Sequence, residues 1–280
     1  MSGFSSSHSR LGDRIVLALV VLLSLVMVLP ILWVIGLSLK ENSALMADPN
    51  SVFHAPYIIG NYINIINTSS VFRWVLNSLI VSVSLTLGTL ILSSLAGYGF
   101  ARLNFPGRDI LFVVVLFGLA VPEQAVLVAR HQIFSMLGLH NTYPGLILPG
   151  LSSAFGVFLM TQYFRAIPRD LDEAALLDNA SRLKIFWKVL LPLTLPAQAT
   201  LGIFTFLGSW NDYFWPLISA TKKDMYTLTV GLASTQTNFG QSEGIGYLMA
   251  QAVFAGAPIL IIYLFFQKYI VTAVSGAAVR

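Results

Sequence analysis

Long apolar runs dominate the chain, and polar positions fall between them at regular intervals. A helix crosses the hydrocarbon layer with about 20 apolar residues. Six segments reach that length: 15–37, 75–98, 110–129, 145–164, 197–220 and 247–271. They predict an all-α integral membrane domain over 15–271, between short tails at 1–14 and 272–280. Two of the six carry polar and proline interruptions: Pro122 and Glu123 in the third, and Asn211, Asp212 and Pro216 in the fifth. Lipid cannot satisfy such groups, so they predict burial against other helices or a wet cavity.

Composition agrees. Of 280 residues, 56% are hydrophobic and 10% charged, against roughly 25% charged in soluble domains. The first apolar run exceeds the roughly 7–15 residues of a signal-peptide core, and no A-x-A site follows it, so it reads as a first spanning helix. Lys and Arg set the orientation. With the N-terminus inside, inner segments hold 11 of the 16 basic residues, which places both termini and the 165–196 segment in the cytoplasm. Basic residues used this way give no reason to expect a nucleic-acid partner.

Several chemistries lose their footing. There is no cysteine, and His8, His54, His131 and His140 are scattered without an H-E-x-x-H pattern, so no metal site is expected. No Gly-Lys pair occurs, so there is no recognisable P-loop for ATP phosphates. A membrane enzyme would need a G-x-S-x-G, a metal cluster or a paired-carboxylate site, and none is present. An ion-driven secondary transporter would need several midplane ionisable groups and a repeat-related pair of broken helices. Only Glu123 and Asp212 qualify, and the charged 165–196 segment is then unexplained.

That segment is the most charged stretch of the chain. Asp170 and Asp172 favour a helix start, Pro168 precedes it, and Glu173 to Leu177 are strong helix formers. Asn179 suits a left-handed helix end, and Ser181 is placed to cap a second helix running to Leu190, before Pro192. On residues alone this is either an ordinary amphipathic connector or a docking surface facing water.

Glu173-Ala174-Ala175, three residues, Asn179, nine residues, Val189, one residue and Leu191-Pro192 resemble the EAA loop of ABC importer permeases. The departures are Asn179 for Gly and Val189 for Ile. Further blocks, Ala96–Arg108, Leu137–Pro149, Tyr163–Pro168, Trp210–Leu217 and Gln267–Arg280, resemble the carbohydrate uptake branch and its maltose-type second permease. The resemblance implies a type I permease fold in a bacterial or archaeal inner membrane. It implies a transport subunit with no cofactor of its own, ATP and Mg being bound by two partner ATPase subunits. A second homologous permease and an extracytoplasmic solute-binding protein complete the expected complex. Glu173, Ala174, Ala175, Asp178, Asn179, Leu191 and Pro192 would couple to the ATPase.

Two further groups stay open at this stage. Glu123, Asn211, Asp212 and Tyr213 are cavity candidates; the alternatives are an aromatic interfacial belt around 210–215, and pairing of Glu123 with Arg130 or capping of a kink. The outer segment 221–246 reads as a polar loop, and in maltose-type relatives its counterpart approaches the binding protein, which points to Thr235, Gln236, Asn238 and Gln241. Solute identity is not legible. Di- and oligosaccharides, glycosides and polyols come first, with glycerol-phosphate-type solutes as the alternative. No Arg or Lys is expected in the cavity, which favours a neutral solute.

Overall fold

The computed structural model describes residues 10–67 and 70–278; the side chains of 10–11, 49, 236–243, 262–263, 265–266 and 268–278 lie outside the described residues. Among the described residues every regular element is helical. The chain divides into two compact units, one from 10–67 with 235–257 and one from 70–234 with 258–278.

In the first unit, α1 (Arg10–Ser38) is almost wholly apolar from Ile15 to Leu37, and its most apolar 18-residue stretch buries nothing within the chain, whereas Ser38 at its end is fully buried. It is followed by α2 (Asn42–Ala47), a 3-10 turn at Pro49–Phe53 and α3 (Gly60–Asn67). Lys40 fastens this region. Its side chain is 1% exposed, its ammonium donates to the carbonyls of His54 and Pro56, and it lies 4.3 Å from the Tyr57 ring centroid. Asn61 adds two bonds, from Nδ2 to the carbonyls of Ser38 and Lys40, each 2.9 Å.

The second unit is organised on α4 (Val71–Arg102), 32 residues without a break. Its first turns hold the segment around 223–228 through Trp74 Nε1 to Lys223 O (3.0 Å) and Asn77 Nδ2 to Asp224 O and Tyr226 O (2.8 and 2.9 Å). Against it pack α5 (Arg108–Phe117), α7 (Tyr143–Ile147) and α8 (Ala154–Ala166), with α6 (Leu127–Met136) following the 3-10 turn at Glu123–Val126. The 165–196 loop contains α9 (Asp170–Leu177), α10 (Arg182–Ile185), a π-turn (Phe186–Leu190) and α11 (Leu191–Leu193). Then come α12 (Leu195–Asn211), α13 (Phe214–Ser219) and α14 (Leu228–Ala278). The core joins Tyr98, Met160, Phe164, Ile185, Phe186, Leu190 and Leu201, so α4, α8, α12 and the loop share one apolar centre.

Among the described residues, three helical stretches are long and apolar enough to cross a bilayer alone: Gly12–Ser38, Val71–Arg102 and Gly244–Ile261. Two bent pairs add to these, Tyr143–Gly150 with Ala154–Ala166 at 50° and Arg182–Leu193 with Leu195–Asn211 at 77°. The third expected span, 110–129, is not one helix. It stops at Phe117 and resumes as a 3-10 turn at Glu123, because Pro122 supplies no N–H and Gly118 weakens the preceding turn. The fourth breaks at 151–153, and the fifth at Asp212–Tyr213.

The loop expected over 221–246 is helical from Leu228 onward, a correction to the sequence reading. Gly244 interrupts α14 at φ 77°. Thr235 Oγ1 accepts a 2.6 Å bond from Gln251 Nε2. Sixteen residues of straight helix would separate them by about 24 Å, so the chain doubles back near Gly244. The polar composition of 228–243 was read as solvated loop, but a helix in a hairpin also tolerates it.

Candidate functional site

The 165–196 loop forms around α9. Arg169, Asp170 and the following residues enter the helix after Pro168, with three acidic residues in the first turn. The exit is a Schellman motif. Asn179 sits at φ 55°, its N–H donates to Leu176 O at 3.0 Å, and Ala180 N–H donates to Ala175 O at 3.0 Å. The left-handed geometry expected for Asn179 is therefore present. Ser181 Oγ then accepts from Lys184 N–H at 3.3 Å and starts α10.

The second helix does not end before Pro192, as the sequence suggested. It widens into the π-turn at Phe186–Leu190 and continues through Pro192 to Leu193. Pro192 lacks an N–H and its ring would strike the carbonyl four residues back. The wider turn accommodates both, and the sharp bend follows at Thr194.

Burial separates two faces of the loop. Glu173, Ala174, Asp178 and Asn179 are exposed, Leu177 is 85% exposed, and Ala175 is half-buried against the core. Leu191 is half-buried and Pro192 exposed. The other face carries Asp172, whose Oδ2 lies 3.3 Å from Arg102 Nε, both side chains being almost fully buried. Arg102 Nη2 also donates to Ile167 O at 2.6 Å. Sequence reasoning assigned Asp172 only to the helix start and missed this pair. The available signal was the lone Arg102 ending a 32-residue apolar helix.

The second candidate region is a cavity of about 1190 Å³ in the second unit. α4 supplies Thr89 and Ser93, and α12 supplies Thr205 and Ser209. The three chain breaks add Gly118, Leu119, Val121 and Glu123, then Leu148 to Ser153, and Asp212 with Trp215 and Pro216. Glu123, Arg130 and Asp212 all line it. Among the described residues no ion pair within 4 Å joins Glu123 to Arg130; the Arg130 guanidinium instead lies 5.4 Å from the Trp215 ring centroid. Arg130 in the wall corrects the expectation that no basic residue faces the cavity.

Two of the four cavity candidates fall elsewhere. Asn211 Nδ2 donates to Leu207 O at 3.0 Å and is exposed, and Tyr213 is 37% exposed, neither lining the cavity. Asp212 O accepts a 2.8 Å bond from Thr229 Oγ1, which braces the break. In the first unit, Thr235 is buried and bonded to Gln251. The side chains of Gln236, Asn238 and Gln241 lie outside the described residues. His131, His140, Asp and Glu side chains form no group of three suited to a metal among the described residues.

Residues 89–276 match the family described as binding-protein-dependent transport system inner membrane component. The chain belongs to this family. Its residues are thus those of a transport permease, and it is not an enzyme. Among its relatives is the arabinooligosaccharides transport system permease protein AraQ of Bacillus subtilis, 36% identical over 92% of this chain and 92% of the relative. The diacetylchitobiose uptake system permease protein NgcG of Streptomyces coelicolor is 34% identical over 99% of this chain and 92% of its own. The trehalose/maltose transport system permease protein MalG of Thermococcus litoralis is 31% identical over 93% and 94%. A chain of a bacterial ABC transporter involved in alginate import shares the fold, with a TM-score of 0.77 at 23% identity over 96% of the permease and 99% of that chain. The all-α type I importer fold expected from the sequence is the one the permease has.

Proposed function

We propose that the permease forms half of the translocation pathway of an ATP-driven importer for di- or oligosaccharides, glycosides or polyols. A second homologous permease completes the pathway, two ATPase subunits bind ATP and Mg, and a solute-binding protein delivers from the outside. The six apolar runs give six crossings, and the basic-residue bias puts both termini in the cytoplasm. The observation that carries this reading is α9, a charged helix with its Glu173–Ala174 face and Leu177 open to solvent and its opposite face fixed to the core. An exposed apolar side chain beside a carboxylate fits a groove on a water-soluble partner. Glu173 is the polar anchor, Ala174 and Ala175 allow close approach, and Asn179 sets the turn.

The cavity supports a neutral, hydroxyl-rich solute. Thr89 and Ser93 bring buried hydroxyls without a hydrogen-bond partner, and Trp215 offers an apolar face. Arg130 favours the second reading, a glycerol-phosphate-type solute, but two carboxylates, Glu123 and Asp212, share the wall with it and disfavour an anion. Thr235 being buried against Gln251, residues 236–241 are proposed to face the binding protein, and their deletion impairs delivery more than insertion. The decisive experiment is purification of the tagged permease from its membrane with ATPase activity measured on the eluate. Co-purified ATPase and second permease, lost with Glu173→Lys, support the reading. A chain that elutes alone and moves solute on an ion gradient overturns it.

A further inference from the structure

We propose that Arg102 and Asp172 form a latch that makes α9 move with α4, and that this latch carries the ATPase stroke to the cavity wall. The proposal rests on the docking of α9 to an ATPase stated above.

α4 is the longest unbroken helix in the cavity wall, at 32 residues. Its middle supplies Leu85, Thr89, Leu92 and Ser93 to that wall. Its last turn grips the loop at three points. Arg102 Nη2 donates to Ile167 O just ahead of α9, Arg102 Nε faces Asp172 within α9, and Tyr98 OH donates to Arg182 O at 3.3 Å beyond the turn. Tyr98 and Arg102 are four residues apart and so share a helix face. α9 is therefore held before, within and after by one face of one helix.

The pair suits positioning better than stabilisation. A buried ion pair adds little net stability over apolar packing, but losing one partner strands the other charge. Neither carboxylate oxygen of Asp172 has a hydrogen bond besides its approach to Arg102. The carboxylate depends on Arg102 alone, so α9 has one favourable seat on α4. Apolar contacts between Tyr98, Phe164 and Phe186, at 5.1 to 6.1 Å between centroids, would hold the loop near the core but would let it slide.

The chain has no cysteine, so a single reporter is clean. Leu92→Cys puts a thiol on the cavity face of α4, at a side chain that is 48% exposed. The full complex, in membrane vesicles, is treated with a water-soluble maleimide before and after trapping with ATP and vanadate. Trapping should change the labelling rate by at least about fivefold, the lower end of ordinary coupling between sites. Asp172→Asn should bring that ratio close to one while the ATPase still co-purifies, and Asp172→Glu should restore most of it. An unchanged ratio in Asp172→Asn overturns the latch. Failure of Asp172→Asn and of Arg102→Lys to assemble with the ATPase also overturns it, since the pair would then serve folding alone. Glu173→Lys separates the two claims: if it leaves the ratio intact, ATPase docking on α9 is wrong; if it abolishes the ratio while Asp172→Asn does not, only the latch is wrong.

Discussion

Gly97 and Gly99 lie two residues apart on α4, and a methyl group added to each should have opposite consequences. At Gly97 a new Cβ would lie 2.7 Å from Met160 Cβ and 2.9 Å from Met160 C and Thr161 N. Two of these are backbone atoms of α8, so relief requires the helices to part. At Gly99 nothing lies within 4 Å. Both substitutions gain the same helix propensity, about 1 kcal/mol. Overpacking at Gly97 costs about 1–3 kcal/mol, and this is the expected difference between the two variants. At about 2–4 °C per kcal/mol for a chain of this size, Gly97→Ala should melt about 2–12 °C below Gly99→Ala. Intrinsic tryptophan fluorescence of the detergent-purified permease reads this directly. The same parting would loosen the Tyr98–Phe164–Phe186 cluster beneath the 165–196 loop, so ATPase co-purification should fall in the Gly97 variant first. Equal melting temperatures would refute the close α4–α8 approach.

Other substitutions probe separate parts. Asn179→Val forces a β-branched residue to positive φ, costing about 1–2 kcal/mol or more; solute uptake should drop about tenfold, while Asn179→Gly retains it. Lys40→Met leaves the carbonyls of His54 and Pro56 unpaired at about 1–3 kcal/mol, and limited proteolysis should then cut within 41–58 faster than in wild type; an unchanged digestion pattern contradicts the clamp. Asp212→Leu removes one carboxylate from the cavity wall and should raise the KM for uptake about ten- to a hundredfold with normal insertion, given about 1.5–3 kcal/mol for a charge-assisted hydrogen bond; unaltered uptake would remove Asp212 from the pathway.

Much of this was legible from residue patterns, for identifiable reasons. α1 and α4 carry long, predominantly apolar runs, and the length of those runs defines them. Asn179 was legible because few residues tolerate positive φ, and its spacing from Glu173 fixed its place at a helix end. The breaks at 118–122, 151–153 and 212–213 were only half legible. Pro122 and Asp212 marked two of them, but Ser152 and Ser153 gave no signal against so apolar a background. Arg130 was counted as an outer residue because its neighbours in sequence are mixed, and only the fold turns it to the cavity. The Arg102–Asp172 pair spans 70 positions, and no local pattern encodes a contact at that separation.

The positions of the breaks follow from what lipid forbids. A chain break frees backbone N–H and C=O groups, and inside a bilayer these must meet protein or water. All three breaks border the same cavity, so the groups they free have water or solute to bond. α4 needs no such relief, since its 32 residues run without a break and its backbone groups pair along the helix. At 1.5 Å per residue its 32 residues span about 48 Å, against a hydrocarbon core of about 30 Å. Roughly 18 Å of helix therefore projects beyond lipid, enough to hold the 223–228 segment at one end and the 165–196 loop at the other. In the proposed latch, a displacement applied through Arg102 would move α4 as one body, and the jointed walls would yield at their breaks and change the shape of the cavity.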